Sequence, residues 1–364
     1  MYCIAPSACA LSVSAASAVL MNAQTGEIIF EKDAHAQRSM ASTTKIMTAL
    51  VALEQCTPSK VVTVTNKMVA VEGTSMGIKA GYKLTLETLV WGMLLESGND
   101  AANAVALSVA GSMEAFASLM NQRAKQIGMQ NTNFVTPSGL DAQEHYTTAY
   151  DMALLASCAA NNPEFTEICS AKSKQVQFVE PQISVTLSNH NRLLSSCEGV
   201  FGMKTGFTKK SGRCLVSCAT RDGVTLVAVT LNDGNDWNDH INMYNYGFDA
   251  VKLQHVDIDL PPLTVVGGEK QNVRVCAAED VTFSALGDGK MQTEIFLKKF
   301  EYAPVEIGQI VGEVRVINGS RIIGTTPVIA AESIAATTEE TIESNDSFYK
   351  KLIYRMKGLI KTNG

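Results

Sequence analysis

The chain is 364 residues long, 46% hydrophobic and 18% charged, with a formal net charge of −6. That length holds a large enzymatic domain with a smaller companion, and the apolar fraction is too high for a chain disordered throughout. The acidic balance speaks against nucleic acid as the main partner, and no run reaches the ~18 apolar residues that a spanning helix needs. Nine cysteines include no C-x-x-C pair, so neither a zinc site nor a dense disulfide framework is indicated.

Nothing charged precedes Glu27, and the runs Ala8-Cys9-Ala10 and Ala15-Ala16-Ser17-Ala18 look like the tail of an export signal without its basic start. Residues 1–17 are therefore read as a signal remnant or an unstructured start. Segments 18–22 and 27–31 flank Thr25-Gly26 and predict a hairpin. Ile46, Met47, Leu50 and Leu53 recur at helical spacing, which predicts a helix over about 42–54. Further helices are expected over 86–95, 101–109, 116–127 and 150–158.

Segments 212–219 and 224–231 read as buried strands joined by Arg221-Asp222-Gly223. Cys214 and Cys218 alternate with Val216, which places both thiols on one strand face as packing groups. Strands, then many helices, then strands predict an α+β domain over 18–253. Over 254–334 the runs Val265-Val266, 273–275, 294–296, 314–316 and Ile322-Ile323 alternate with Gly, Asn and Pro, which predicts a small all-β domain without catalytic groups. Asn318-Gly319 is its strongest hairpin signal.

Residues 335–347 are acidic and rich in Thr and Ser, as a solvated linker is. Residues 348–364 put Phe348, Leu352, Ile353, Met356, Leu359 and Ile360 on one helical face, with five basic residues and no acid from Lys350 to Lys361. Such a helix lies in the interface of an anionic membrane, or packs on its own protein; the acidic linker favours the membrane.

Three motifs carry chemistry: Ser42-Thr43-Thr44-Lys45, Ser97-Gly98-Asn99 and Lys204-Thr205-Gly206. Each is weak alone, and Ser347-Phe348-Tyr349-Lys350 also fits the first pattern. Their order is that of the penicillin-recognising serine enzymes. Ser42 and Lys45 are three apart, so on a helix they share a face. A serine hydroxyl attacks only when a base takes its proton, and a lysine is that base only if burial or a nearby cation lowers its pKa. Lys204 beside it in a closed cleft supplies both conditions. Ser97 is expected to relay a proton to the leaving amine, and Asn99 to orient Lys45 and the substrate. The third motif is expected to begin an edge strand: Lys204 gives positive charge, Thr205 and Thr208 give hydroxyls for a carboxylate, and Gly206 opens the edge to substrate.

With these motifs, 39–53 (SMASTTKIMTALVAL), 134–154 (FVTPSGLDAQEHYTTAYDMAL) and 202–218, the chain resembles the low-molecular-weight penicillin-binding proteins that are serine-type D-alanyl-D-alanine carboxypeptidases. The resemblance implies a transpeptidase/β-lactamase-like catalytic domain (an antiparallel sheet with a helical cluster), then a β-sandwich, then a C-terminal amphipathic anchor. It implies removal of the terminal D-Ala from peptidoglycan pentapeptide stems through a Ser42 acyl-enzyme, with penicillins acylating the same serine. Lys45 is then the general base, Ser97 and Asn99 the second motif, and Lys204, Thr205 and Gly206 the third. The N–H groups of Ser42 and Phe207 make the oxyanion hole. Stem peptides, β-lactams and an anionic membrane are the implied partners, and the outer face of the cytoplasmic membrane the implied location. No metal and no cofactor is expected.

The second motif carries Gly98 where many acyl-serine enzymes carry Asp, and 232–240 lacks the arginine that some relatives use for the terminal carboxylate. The anchor is thus expected to rest on Lys204, Thr205 and Thr208. Other readings stay open: a D,D-endopeptidase cutting cross-links, a silent penicillin sensor, or a class A β-lactamase using Glu164 for deacylation. The histidines at 35, 145, 190, 240 and 255 are scattered and give no local support to a Ser-His-Asp triad.

Overall fold

A computed structural model describes residues 11–286, 291–318 and 321–337. The expected C-terminal helix, all but three residues of the expected linker, and residues 1–10 lie outside them. The chain divides into two compact units. Of the described residues, one holds 11–253 together with 284–286; the other holds Gln254–Phe283, 291–318 and 321–337.

The first unit runs β1 (Ser17–Asn22), β2 (Ile28–Lys32), a 3-10 turn (Ala41–Thr44), α1 (Lys45–Gln55), β3 (Val61–Thr63), α2 (Asn66–Val69), β4 (Lys83–Thr85), α3 (Leu86–Leu95), α4 (Asn99–Ala110) and α5 (Met113–Ile127). It continues with α6 (Ala149–Ala160), α7 (Pro163–Ser170), β5 (Ser173–Gln177), β6 (Ser184–Ser188), α8 (Leu193–Ser196), β7 (Val200–Thr208), β8 (Gly212–Arg221), β9 (Val224–Leu231) and α9 (Asp236–Ala250). Five strands make one antiparallel sheet in the order β2-β1-β9-β8-β7, which leaves β7 at an edge.

Successive strand side chains point to opposite faces, and here both faces are covered. Val19 and Met21 of β1, Cys214, Val216 and Cys218 of β8, and Val227, Val229 and Leu231 of β9 enter the core shared with the helical cluster. Their neighbours Ala18, Leu20, Leu215, Ala219, Leu226 and Ala228 enter a second core against α9, with Met243 and Tyr244. The two thiols do share one face, fully buried, and burial pushes Cys214 up to about 11. Apart from the exposed Glu87, α3 is buried all round, as are the first two turns of α4, so they run through the cluster rather than over it. Thr85, Ser112, Thr148 and Asn162 each accept an amide hydrogen of the first turn that follows, which fixes where α3, α5, α6 and α7 begin.

Two expectations shift. The helix expected from residue 42 is α-helical only from Lys45; Ala41–Thr44 is a tighter 3-10 turn. Lys204 does not begin its strand but sits at its middle, since β7 starts at Val200.

In the second unit Val275–Ala277, Arg321–Ala330, Ile310–Asn318 and Gln292–Leu297 form one antiparallel sheet in that order. Asn272–Val273, Leu263–Val266 and Glu301–Tyr302 form another. Inward residues of both sheets, among them Leu263, Val265, Val273, Val314 and Val328, make one core. The run expected at 273–275 is split: its two ends belong to different sheets.

Candidate active site

Ser42 lies in the 3-10 turn, and Lys45 opens α1 one turn later. The Lys45 ammonium nitrogen is fully buried and donates to Ser42 Oγ (2.9 Å), Asn99 Oδ1 (2.7 Å) and the Ser138 carbonyl (2.6 Å). The last two acceptors have no proton to give. Once Lys45 is neutral, its two remaining hydrogens stay with them and its lone pair faces the Ser42 hydroxyl. The pKa of Lys45 lies well below the usual lysine range, first through burial and then through the charge of Lys204, with Asp100 opposing.

Asn99 begins α4, and its amide nitrogen donates to the Glu72 carbonyl at 2.7 Å, which aims Oδ1 at Lys45. Asp100 accepts the N–H groups of Met76, Gly77 and Ile78 and the Ser75 hydroxyl, and so ties the 75–78 segment to the head of α4. A Cβ at Gly98 would lie 2.9 Å from both Met76 N and Asp100 Oδ1, so this packing leaves no room for the aspartate many acyl-serine enzymes carry. Ser97 is nearly buried with φ +59°, a strained setting for a side-chain residue, and lines the cleft. The hydrogen bonds of Lys45 go to Ser42, Asn99 and Ser138 rather than to Ser97.

Lys204 is buried in mid-strand; its ammonium donates to the Thr205 carbonyl at 3.1 Å, and burial pushes its pKa down to about 7. A Cβ at Gly206 would sit 3.0 Å from Ser42 N and 3.1 Å from Ala41 Cβ and Thr43 N. Glycine there lets β7 meet the turn that carries Ser42, a closer demand than the substrate approach expected from sequence. Thr205, Gly206 and Phe207 line the cleft with Ser42 and Ser97. Thr208 is engaged elsewhere: its hydroxyl is bonded to Ser211 Oγ (2.9 Å) in the turn to β8 and is not among the lining groups.

The cleft has a volume of about 550 Å³, and its lining includes residues that sequence reasoning passed over: Thr74, His190, Arg192, Arg213, Asp236 and Trp237. They come from loops, from β8 and from the head of α9, with no short motif to mark them. Glu164, the deacylating glutamate a class A lactamase would need, is exposed on α7 and is not part of this lining. Gly73-Thr74-Ser75-Met76-Gly77 spells the G-x-S-x-G nucleophile pattern, yet it lies in a loop and its serine donates to Asp100.

His145 was also passed over as a positioning group. Its Nδ1 accepts from Val135 N (2.9 Å), so Nε2 carries the proton and donates to Thr44 Oγ1 (2.9 Å). Burial holds this imidazole neutral, down to about 4. The Pro137 carbonyl accepts from Thr48 on α1, and a Cβ at Gly139 would stand 1.9 Å from the Ala41 carbonyl. The 135–139 segment is thus clamped onto the 3-10 turn that carries Ser42, where it presents the Ser138 carbonyl to Lys45.

The model of the D-alanyl-D-alanine carboxypeptidase family matches residues 4–235, and that of the penicillin-binding protein 5 C-terminal domain matches 248–336. The chain belongs to the D-alanyl-D-alanine carboxypeptidase family of serine-type, low-molecular-weight penicillin-binding proteins. It is 33% identical to D-alanyl-D-alanine carboxypeptidase DacC of Escherichia coli, over 89% of this chain and 85% of that protein. It is 28% identical to DacF of Bacillus subtilis, over 89% of this chain and 87% of that one. The crystal structure of DacD from Francisella tularensis superposes with a TM-score of 0.63 at 28% identity, covering 93% of this chain and 97% of that one.

Proposed function

We propose that the protein removes the terminal D-Ala from peptidoglycan pentapeptide stems through an acyl-enzyme on Ser42, and that penicillins acylate the same hydroxyl. The observation that carries this reading is the Lys45 nitrogen 2.9 Å from Ser42 Oγ, with two proton-free acceptors holding its other positions. As a free amine Lys45 takes the Ser42 proton while Oγ attacks the carbonyl of the penultimate D-Ala. The N–H groups of Ser42 and Phe207 hold the oxyanion, and Ser97 passes the proton to the departing amine. Water then opens the ester with Lys45 again as base. Substrate lies along the open edge of β7, which Thr205 and Phe207 border.

Residues 18–253 are assigned to the peptidase and 254–334 to the companion β domain. Work on peptidoglycan places the protein outside the cytoplasm. The basic amphipathic segment 348–364, beyond the acidic 335–347, is assigned to an anionic membrane surface. Co-sedimentation with phosphatidylglycerol vesicles, lost in a chain ended at residue 347, checks it.

The activity is tested with a fluorescent penicillin and diacyl-L-Lys-D-Ala-D-Ala, wild type beside Ser42→Ala. Wild type is expected to be labelled and to release free D-Ala, and the variant to do neither. Labelling without D-Ala release would make the protein a sensor instead. Turnover of a cross-linked dimer in preference to the pentapeptide would make it an endopeptidase.

A further inference from the structure

We propose that Arg213 is the residue that selects for the substrate's terminal carboxylate, and that Asp236 is the positioning residue that holds it to that task. This rests on the reading of the cleft as a D,D-peptidase site. Arg213 pairs in register with Phe207, so it rises beside the part of β7 that borders the cleft, and it lines that space itself together with Asp236 and Trp237.

Asp236 sits behind the guanidinium with only 4% of its side chain exposed; its Oδ2 accepts from Arg213 Nε at 3.1 Å and its Oδ1 from Nη2. Oδ1 also accepts the Trp237 amide at 2.9 Å, so the aspartate is engaged from both sides. The Trp237 ring lies 5.5 Å from the guanidinium carbon and further limits its swing. Two of the five guanidinium N–H groups are used by Asp236. The other three, on a side chain 43% exposed, border the cleft and form the edge that takes a carboxylate in a fork.

Of the three groups first expected to bind that carboxylate, Thr205 lines the cleft with an uncharged hydroxyl, and the other two are less suited to it. Thr208 is bonded to Ser211, and the Lys204 ammonium is buried against the Thr205 carbonyl, with a charge that burial makes half-lost near pH 7. An arginine keeps its charge throughout. Arg192 also lines the cleft and is the rival cation.

The test compares kcat/KM for diacyl-L-Lys-D-Ala-D-Ala with that for a diacyl-L-Lys-D-Ala thioester whose thiol leaving group is uncharged. Arg213→Gln is expected to lower the peptide value tenfold to a hundredfold, roughly what loss of a charged hydrogen-bonded pair costs, and to collapse the peptide-to-thioester ratio at least tenfold. Asp236→Asn is expected to lower that ratio severalfold by freeing the fork. In wild type the ratio should stay flat from pH 6 to 9, because arginine does not titrate there.

Equal losses on both substrates would reduce Arg213 to a packing role and overturn the proposal. So would collapse of the ratio in Arg192→Gln instead, or a wild-type ratio that falls through pH 7, the mark of Lys204. Should Arg213→Gln be inactive on both, Arg213→Lys, which keeps the charge and loses the fork, supplies the same ratio. Wild type that releases no D-Ala refutes the peptidase reading itself; wild type that releases it while Arg213→Gln keeps its ratio refutes only this assignment.

Discussion

In the proposed mechanism Lys45 is the base, and three contacts suit this surface-type residue to that role. Full burial and the nearby Lys204 charge disfavour its ammonium form, while Asn99 and Ser138 fix where its lone pair points. Because only the free amine serves, penicillin acylation should rise with pH through a pKa far below the ordinary 10.5 of lysine and then level off. Lys45→Met should cut acylation by at least ~10³-fold in a stopped-flow labelling assay; an unaltered rate would remove Lys45 from the mechanism. His145 gives a stability prediction. Its imidazole is held neutral down to about 4, whereas unfolded histidine takes a proton near 6.5. Between those values the unfolded chain binds more protons, so stability falls as pH drops from 6.5 towards 4. Urea titrations should show that slope flattened in His145→Gln.

Among the elements, the junction between β7 and the 3-10 turn sets the geometry of the reaction. The edge strand carries Lys204 inward and runs so close to Ser42 that a single methyl at Gly206 meets the backbone nitrogens of Ser42 and Thr43 and the Ala41 side chain. Gly206→Ala should therefore cost about 1–3 kcal/mol of stability by overpacking. Displacing Ser42 even slightly should lower acylation tenfold or more, to be read by labelling at matched folded fraction. A variant that acylates normally would mean the turn gives way without disturbing the nucleophile. The helix heads act similarly: at the head of α4 Asp100 gathers the 76–78 amides and the Ser75 hydroxyl, so the second motif is a latch between a loop and a buried helix.

Across the molecule, two lysines are buried where the sheet edge meets the helical cluster, and that arrangement works against stability. Lys204 titrates near 7 in the folded protein against 10.5 for a free lysine. Between those values the unfolded chain holds more protons, so stability should climb as pH rises from about 7 towards 10. Lys204→Met should flatten that climb and raise the melting temperature at neutral pH while impairing acylation, a trade of function for stability. Absence of the climb in wild type, followed by thermal melts at fixed ionic strength, would contradict the burial.

Spacing and order alone brought out the α+β class and the separate β unit, and singled out Ser42, Lys45, Asn99 and Lys204, which the fold gathers, because helical period, strand alternation and three motifs are local signals. Helix 86–95 and strand 224–231 match the observed elements residue for residue, since apolar runs of that length have little choice of partner. Contacts across long sequence separation left no such mark. Ser138 reaches Lys45 from 93 residues away, His145 reaches Thr44 from 101, and Arg213 faces the cleft only because β8 pairs with β7 and α9 brings Asp236 behind it. Thr208 is a similar case: its hydroxyl is bonded to Ser211 in its own turn, and whether a strand-end hydroxyl faces substrate or its turn depends on the fold around it. Local pattern names the reacting groups; only the packed chain shows which neighbours shift their pKa and border the substrate.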